Sequence, residues 1–154
     1  MTKRLMDGGR SAEILLVDDN RGEALLIQHA FKSAEVETHL TIASTGEMAL
    51  AILSQKAEYS GRRLPDLILL DMGLPMASGV EILNQIKTDD RLKHIPVIIM
   101  SNSGAEDRIL KAYQLHANAY IVKPTNLLQF REAISLIERL FFILACLPKQ
   151  ETPA

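Results

Sequence analysis

The sequence predicts an α/β protein in which a parallel sheet carries helices on both faces. The form is a (βα)5 doubly wound domain with strand order 2-1-3-4-5 and an extended C-terminal helix. Three observations predict it. Five short aliphatic runs recur along the 154 residues, segments with helical spacing lie between them, and polar residues follow four of the runs directly.

The runs are Ile14 to Val17, His39 to Ala43, Leu67 to Leu70, Val97 to Met100 and Ala119 to Val122. They are short and show little clean alternation, as strands buried on both faces do. After the first run, Ile27, Ala30, Phe31 and Ala34 recur at helical spacing. Met48, Ala51 and Ile52 do the same after the second, and Ile82, Leu83 and Ile86 after the third. Asn20 with Glu23, and Ser44 with Glu47, have the spacing of a capping box and predict two helix starts. Gly61 to Pro65 and Pro75 to Gly79 read as loops. Strand and helix alternating five times predicts right-handed crossovers and one parallel sheet. Residues 1–12 are expected to be a flexible lead, 13–148 the domain with its extended last helix, and 149–154 a tail.

Composition narrows the function. Hydrophobic residues make up 47% and charged residues 23%, the balance of a soluble globular chain. Seventeen basic residues stand against 19 acidic ones without a basic stripe, which argues against a nucleic-acid partner. The lone Cys146 excludes an internal disulfide and fits a reducing compartment. No signal peptide is evident, and the apolar stretch Leu140 to Leu147 falls far short of the ~20 residues of a membrane span. The expectation is a cytoplasmic protein with no membrane contact.

The chemistry lies at the strand ends. Asp18 and Asp19 follow the first strand, Asp71 the third, Ser101 the fourth and Lys123 the fifth. In open α/β sheets ligands bind beyond the carboxyl ends of the strands, at the switch in strand order. Strands one and three flank that switch, so three carboxylates are expected to converge. Clustered carboxylates raise one another's pKa unless a cation sits among them. Hard oxygen ligands suit Mg²⁺, which commonly takes one or two carboxylates plus phosphate. Ser101 and Lys123 could bind the remaining phosphoryl oxygens, and Asp71 could itself be the nucleophile. Taken singly, each has an ordinary reading: a cap or turn for the aspartates, a helix cap for Ser101, a solvated lysine for Lys123. Their joint placement favours the site.

With these residues the sequence resembles the response-regulator receiver domain of two-component signalling, from about Ile14 to Leu144. The matching motifs are ILLVDDN (Ile14 to Asn20), LILLDMGLPMASG (Leu67 to Gly79), VIIMS (Val97 to Ser101) and AYIVKP (Ala119 to Pro124). The resemblance implies a flavodoxin-like fold with Asp71 as the phosphorylated aspartate. It implies Mg²⁺ held by Asp19 and Asp71, by Asp18 through water, and by the carbonyl of Gly73. Ser101 and Lys123 would bind phosphoryl oxygens, and Pro124 would follow a cis peptide bond. Tyr120 stands at the aromatic switch position: as Ser101 moves toward the phosphoryl group, Tyr120 would rotate inward and change the surface of the fourth helix, fifth strand and fifth helix. On its own, Tyr120 reads as a half-buried packing aromatic. A cognate histidine kinase and a downstream protein target or phosphotransfer protein are the implied partners. The segment LLIQHAFK (Leu25 to Lys32), the loop Gly61 to Pro65 and the apolar C-terminal stretch are similar to the small regulators that serve phytochromes.

Three positions depart from the family pattern. Arg21-Gly22 replaces a proline-containing helix start. Gly73 stands two residues after the aspartate where relatives often carry a side chain, which bears on phosphoryl lifetime. Asn102 follows Ser101 where many relatives have a small residue, narrowing access for small phosphodonors. Gly73 also excludes a haloacid-dehalogenase-like phosphatase, which wants a second aspartate there. DDNRG after the first strand is neither a flavodoxin phosphate loop nor a Rossmann G-x-G-x-x-G. A pseudo-receiver acting only as a scaffold would be expected to lose an acidic residue, and none is lost.

The last helix carries two apolar seams. Leu127, Phe130, Ile134, Ile137, Phe141 and Leu144 form one, and Ala133, Leu136, Leu140, Ile143 and Leu147 the other. One can cover the sheet. The other predicts a homodimer through Leu136, Leu140, Ile143 and Leu147, unless Phe141 to Leu147 folds back over the protein's own core.

Overall fold

The computed structural model describes residues 3–6, 9–73 and 79–150. Its elements are β1 (Ala12–Val17), α1 (Arg21–Lys32), β2 (Thr38–Ala43), α2 (Gly46–Ser54), β3 (Leu67–Asp71), α3 (Gly79–Thr88), β4 (Val97–Ser101), α4 (Glu106–Gln114), β5 (Ala119–Val122) and α5 (Leu127–Glu138). A short 3-10 turn, Ala57–Tyr59, follows α2, and α5 runs on into a π-helical segment, Arg139–Leu144. The strands form one sheet in the order β2-β1-β3-β4-β5 with every pairing parallel. Most of the loop expected at Pro75 to Gly79 lies outside the described residues; Gly79 itself begins α3.

Alternate residues of the central strands feed two cores. Leu15, Val17, Ile68, Leu70, Val97 and Ile99 meet α2, α3 and α4 through Ile52, Leu53, Ile82, Leu83, Ile86 and Ala112. Ile14, Leu16, Leu67, Leu69, Ile98 and Met100 meet α1 and α5 through Ile27, Phe31, Phe130, Ile134 and Ile137. Burial on both faces is why these strands read as unbroken aliphatic runs.

Two local expectations shift by one residue. The N-cap of α2 is Thr45 rather than Ser44: its hydroxyl accepts from Met48 N at 3.0 Å. The buried face of α2 is Ala49, Ile52 and Leu53, leaving Met48 and Ala51 exposed. In the run MALAIL every residue is apolar, so periodicity alone does not fix the face.

The chain ends are tied down more than the sequence suggests. Residues within the expected flexible lead pair with the α1–β2 connection: Arg4 N donates to Glu35 O at 3.0 Å and Glu37 N to Arg4 O at 2.7 Å. Met6 is buried and Ala12 already belongs to β1. In the expected tail, Gln150 is buried, its amide donating to Pro65 O at 3.1 Å. Beneath the sheet the carboxylate of Asp66, its side chain fully buried, accepts from Glu13 N, Arg10 and Arg63 at 2.9, 3.3 and 3.1 Å.

The C-terminal helix presents its two seams differently from an uninterrupted α-helix. Ala145 N donates to Leu140 O at 2.8 Å, an i to i+5 bond that gives this turn one extra residue. The buried series therefore steps from Ile137 to Phe142, not to Phe141. Ile143 and Leu147, expected at a dimer interface, pack instead against the core shared with α1. Leu136 and Leu140 do face outward, at 67% and 51% exposure, together with Leu144 at 76%.

Candidate functional site

Parallel pairing in register aligns the strand ends. Val17 lies opposite Leu70 and Asp71 opposite Met100, so the residues after β1 stand beside the end of β3. Oxygen atoms of Asp18, Asp19 and Asp71 lie within 4.8 Å of one another. Asp18 and Asp71 are buried and Asp19 is exposed. On the other side Ser101 pairs with Val122, and Lys123 N donates to Ser101 O at 2.7 Å. That bond seats Lys123 beside the carboxylates, where its Nζ lies 3.3 Å from Asp71 Oδ1. Gly73 N donates to the same Oδ1 at 3.0 Å. Among the described residues there is no cis peptide bond, which corrects the expectation for Lys123–Pro124. The two isomers before proline differ by only about 0.5–1 kcal/mol, and Lys123 reaches Asp71 from the trans form.

The approach of α3 is set by a glycine. A Cβ on Gly79 would lie 2.9 Å from Met72 Cα and 3.2 Å from the carbonyl oxygen of Asp71. Only a residue without a side chain lets the helix begin so close to the backbone of the central aspartate.

Glu23 completes the cluster, and the sequence reading gave it only a capping role. In a capping box the glutamate reaches back to the N-cap N–H. Here Asn20 Oδ1 does accept from Glu23 N at 3.0 Å, but Asn20 N donates to Asp18 Oδ1 at 2.9 Å. With that donor satisfied, the Glu23 carboxylate turns into the site and lies 2.7 Å from Lys123 Nζ. Its position in the first turn of α1, directly after the acidic pair, was the available signal.

The charges respond accordingly. Burial pushes the Asp18 carboxyl up to about 8, helped by its hydrogen bond with Glu23 and by the charges of Glu23 and Asp71, against the Asn20 N–H. Burial also acts to raise Glu23, but its hydrogen bonds with Asp18 and Lys123 hold it below the usual carboxylate range. For Lys123 burial pulls downward, and the Glu23 hydrogen bond with the charges of Asp71, Glu23 and Asp18 outweighs it, so the ammonium is held above its ordinary value.

The donor set fits a hard divalent cation. Asp18 Oδ2 is buried without a hydrogen-bond donor among the described residues, and its neighbours are carboxylates. An acceptor so placed is satisfied by a proton or by a cation.

Ser101 and Tyr120 are joined through one residue between them. Ser101 Oγ accepts from Ser103 N at 3.1 Å, and the Tyr120 hydroxyl donates to Ser103 O at 2.7 Å. Tyr120 is half-buried, packed against the α2–α4 core, and its own N–H donates to the Tyr113 hydroxyl at 3.1 Å.

Comparison with known proteins agrees with this geometry. Residues 14–135 match the family described as "Response regulator receiver domain". The chain is 37% identical to the response regulator Rcp1 of a Synechocystis strain over 135 residues, covering 88% of this chain and 92% of that one. The Mn²⁺-bound form of Rcp1 superposes with a TM-score of 0.84 at 36% identity, covering 90% of this chain and 99% of the other. The phosphorylated cyanobacterial phytochrome response regulator RcpA superposes with a TM-score of 0.86 at 41% identity over the same shares.

Proposed function

The chain belongs to the response regulator receiver domain family, and on that premise we propose that Asp71 accepts a phosphoryl group from a histidine kinase of phytochrome type. The observation that carries this reading is the convergence of Asp18, Asp19 and Asp71 with the Lys123 ammonium 3.3 Å from Asp71 Oδ1. An Asp71 carboxylate oxygen bonds to phosphorus as the phosphorus–nitrogen bond of the donor phosphohistidine breaks, its electron pair returning to the imidazole. Asp19 and Asp71, with the Gly73 carbonyl and with Asp18 through water, would hold Mg²⁺, which when bound would neutralise charge on the phosphoryl oxygens. Lys123 and Ser101 take phosphoryl oxygens. When Ser101 Oγ turns to the phosphoryl group it leaves the Ser103 N–H, and through Ser103 O the Tyr120 hydroxyl feels the change.

The protein is a signalling component rather than a metabolic enzyme, and the only reactions we assign to it are its own phosphorylation and dephosphorylation. The scaffold alternative is disfavoured because Asp18, Asp19 and Asp71 are all retained and cluster within 4.8 Å, which supports the phosphoacceptor reading. No helix among the described residues is long and apolar enough to cross a membrane, in keeping with a cytoplasmic site of action. Two copies pair through the exposed leucines of α5 and its extension, Leu136, Leu140 and Leu144. The phosphorylated protein works through protein contacts with a downstream target or phosphotransfer protein.

The test is incubation with phytochrome-type histidine kinases, labelled ATP and Mg²⁺. Label reaches the wild type and not Asp71→Asn. Equal labelling of both overturns the assignment.

A further inference from the structure

Lys123 has two partners in the resting site, and the nearer is not the central aspartate. Its Nζ lies 2.7 Å from Glu23 Oε1 and 3.3 Å from Asp71 Oδ1, with its side chain only 7% exposed. Glu23 is free for this because Asp18 satisfies the N–H that a capping-box glutamate would take. Its carboxylate faces the ammonium at the distance of a charge-assisted hydrogen bond, in a pair removed from most solvent screening.

We propose that Glu23 is a positioning residue that holds Lys123 in the resting state and competes for it with the phosphoryl group, so that it limits how firmly that group is held on Asp71. The inference rests on Asp71 being the phosphoryl site. A phosphoryl group brings nearly two negative charges and three acceptor oxygens. To serve them the Lys123 ammonium must loosen a short charge-assisted bond, since its three protons are shared among Glu23, Asp71 and the newcomer. The Glu23 carboxylate also repels the arriving anion from a few ångströms away. Both effects act in one direction, and both depend on the charge of Glu23 rather than on its shape. The α1 turn gives the carboxylate a fixed position, so the competition is built into the fold.

The probe is beryllium fluoride, a phosphoryl mimic that binds aspartate with a divalent cation, titrated calorimetrically at saturating Mg²⁺. Glu23→Gln keeps the shape and removes the charge. It binds the mimic tighter on the order of tenfold, the loss of one competing charge-assisted hydrogen bond. Glu23→Ser, which retains a residue suited to a helix start, changes in the same sense. Glu23→Asp, which restores the charge, returns affinity toward wild type. A role confined to holding the helix in place would weaken binding in all three. Unchanged or weaker binding in both Glu23→Gln and Glu23→Ser, with wild type binding normally, overturns the Glu23 proposal alone. Absence of binding to wild type itself, with Asp71→Asn behaving identically, removes the phosphoryl site and this proposal with it.

Discussion

Asp18 keeps its proton up to about pH 8 because burial, the Glu23 hydrogen bond and two neighbouring carboxylates all disfavour its charge. In the unfolded chain the same group titrates near the ordinary aspartate value of 3.8. Between those values the folded protein binds more protons than the unfolded one, so stability falls as pH rises through that window. A divalent cation replaces the proton and reverses the trend, since metal binding then releases protons and strengthens with pH. Thermal melts in EDTA from pH 5 to 8.5 should show a declining melting temperature, steeper in wild type than in Asp18→Asn. Added Mg²⁺ should raise the wild-type melting temperature more at pH 8 than at pH 6; an equal rise at both would remove Asp18 from the metal site. Asp18, Asp19, Asp71, Ser101 and Lys123 could be singled out because each stands at or just beyond the carboxyl end of a strand, where the fold itself gives the position meaning. Glu23 was not. Its role depends on Asp18 capturing the Asn20 N–H, a contact that residue spacing does not reveal.

At the level of elements, the aliphatic runs located all five strands; burial on both faces leaves no other composition open to β1, β3 and β4, while the edge strands β2 and β5 are only partly buried. Helix faces were legible where polar residues interrupt the pattern, as in α1 and α3. They were not legible in α2, where MALAIL offers several equivalent stripes, and the buried one is selected by packing on β1, β2 and α3. The π turn after α5 was equally hidden. A continuous 3.6-residue period puts Phe141 on the core, whereas the extra residue between Ile137 and the next buried position substitutes Phe142. Substitution distinguishes the two. Phe142→Ala should cost about 3–5 kcal/mol, the usual loss for a buried phenylalanine. Phe141→Ala, at a partly buried position, should cost less than half as much. Urea unfolding of both variants measures the difference, and a larger loss at Phe141 would restore the uninterrupted helix.

The whole molecule is a sheet with its chemistry at one end and a structural clamp at the other. At the lower end, Asp66 joins β1 and the residues before β3 to Arg10 and Arg63, and Arg10 also donates to Pro148 O at 3.3 Å, so both termini meet there. Asp66→Ala takes a shared acceptor from the Glu13 N–H and from two guanidinium groups, of which Arg10 keeps Pro148 O and Arg63 keeps Ser11 O. Losing a buried acceptor in this way costs about 1–3 kcal/mol, and chemical denaturation should find that loss with phosphorylation intact in the folded fraction. This clamp depends on residues 10, 66 and 148 meeting in space, which local pattern does not show. The outer face of α5 was legible as surplus apolar surface, but its membership was not: of the four residues expected there, Ile143 and Leu147 are partly buried against the core and Leu136 and Leu140 are exposed, and Leu144, expected in the other seam, is exposed beside them. Shortening the chain after Arg139 would therefore remove Phe142 from the core as well as Leu140 and Leu144 from the surface, confusing stability with association. Single charges on the exposed face separate the two. Leu136→Glu and Leu140→Glu should leave stability within about 0.5 kcal/mol of wild type, as surface changes do. Two-fold pairing repeats each substitution on both copies, so one substitution places two like charges in one apolar interface. Sedimentation velocity at micromolar concentration should then show a dimer for wild type and a monomer for both variants. A wild type that sediments as a monomer throughout would return these leucines to the ordinary exposed surface.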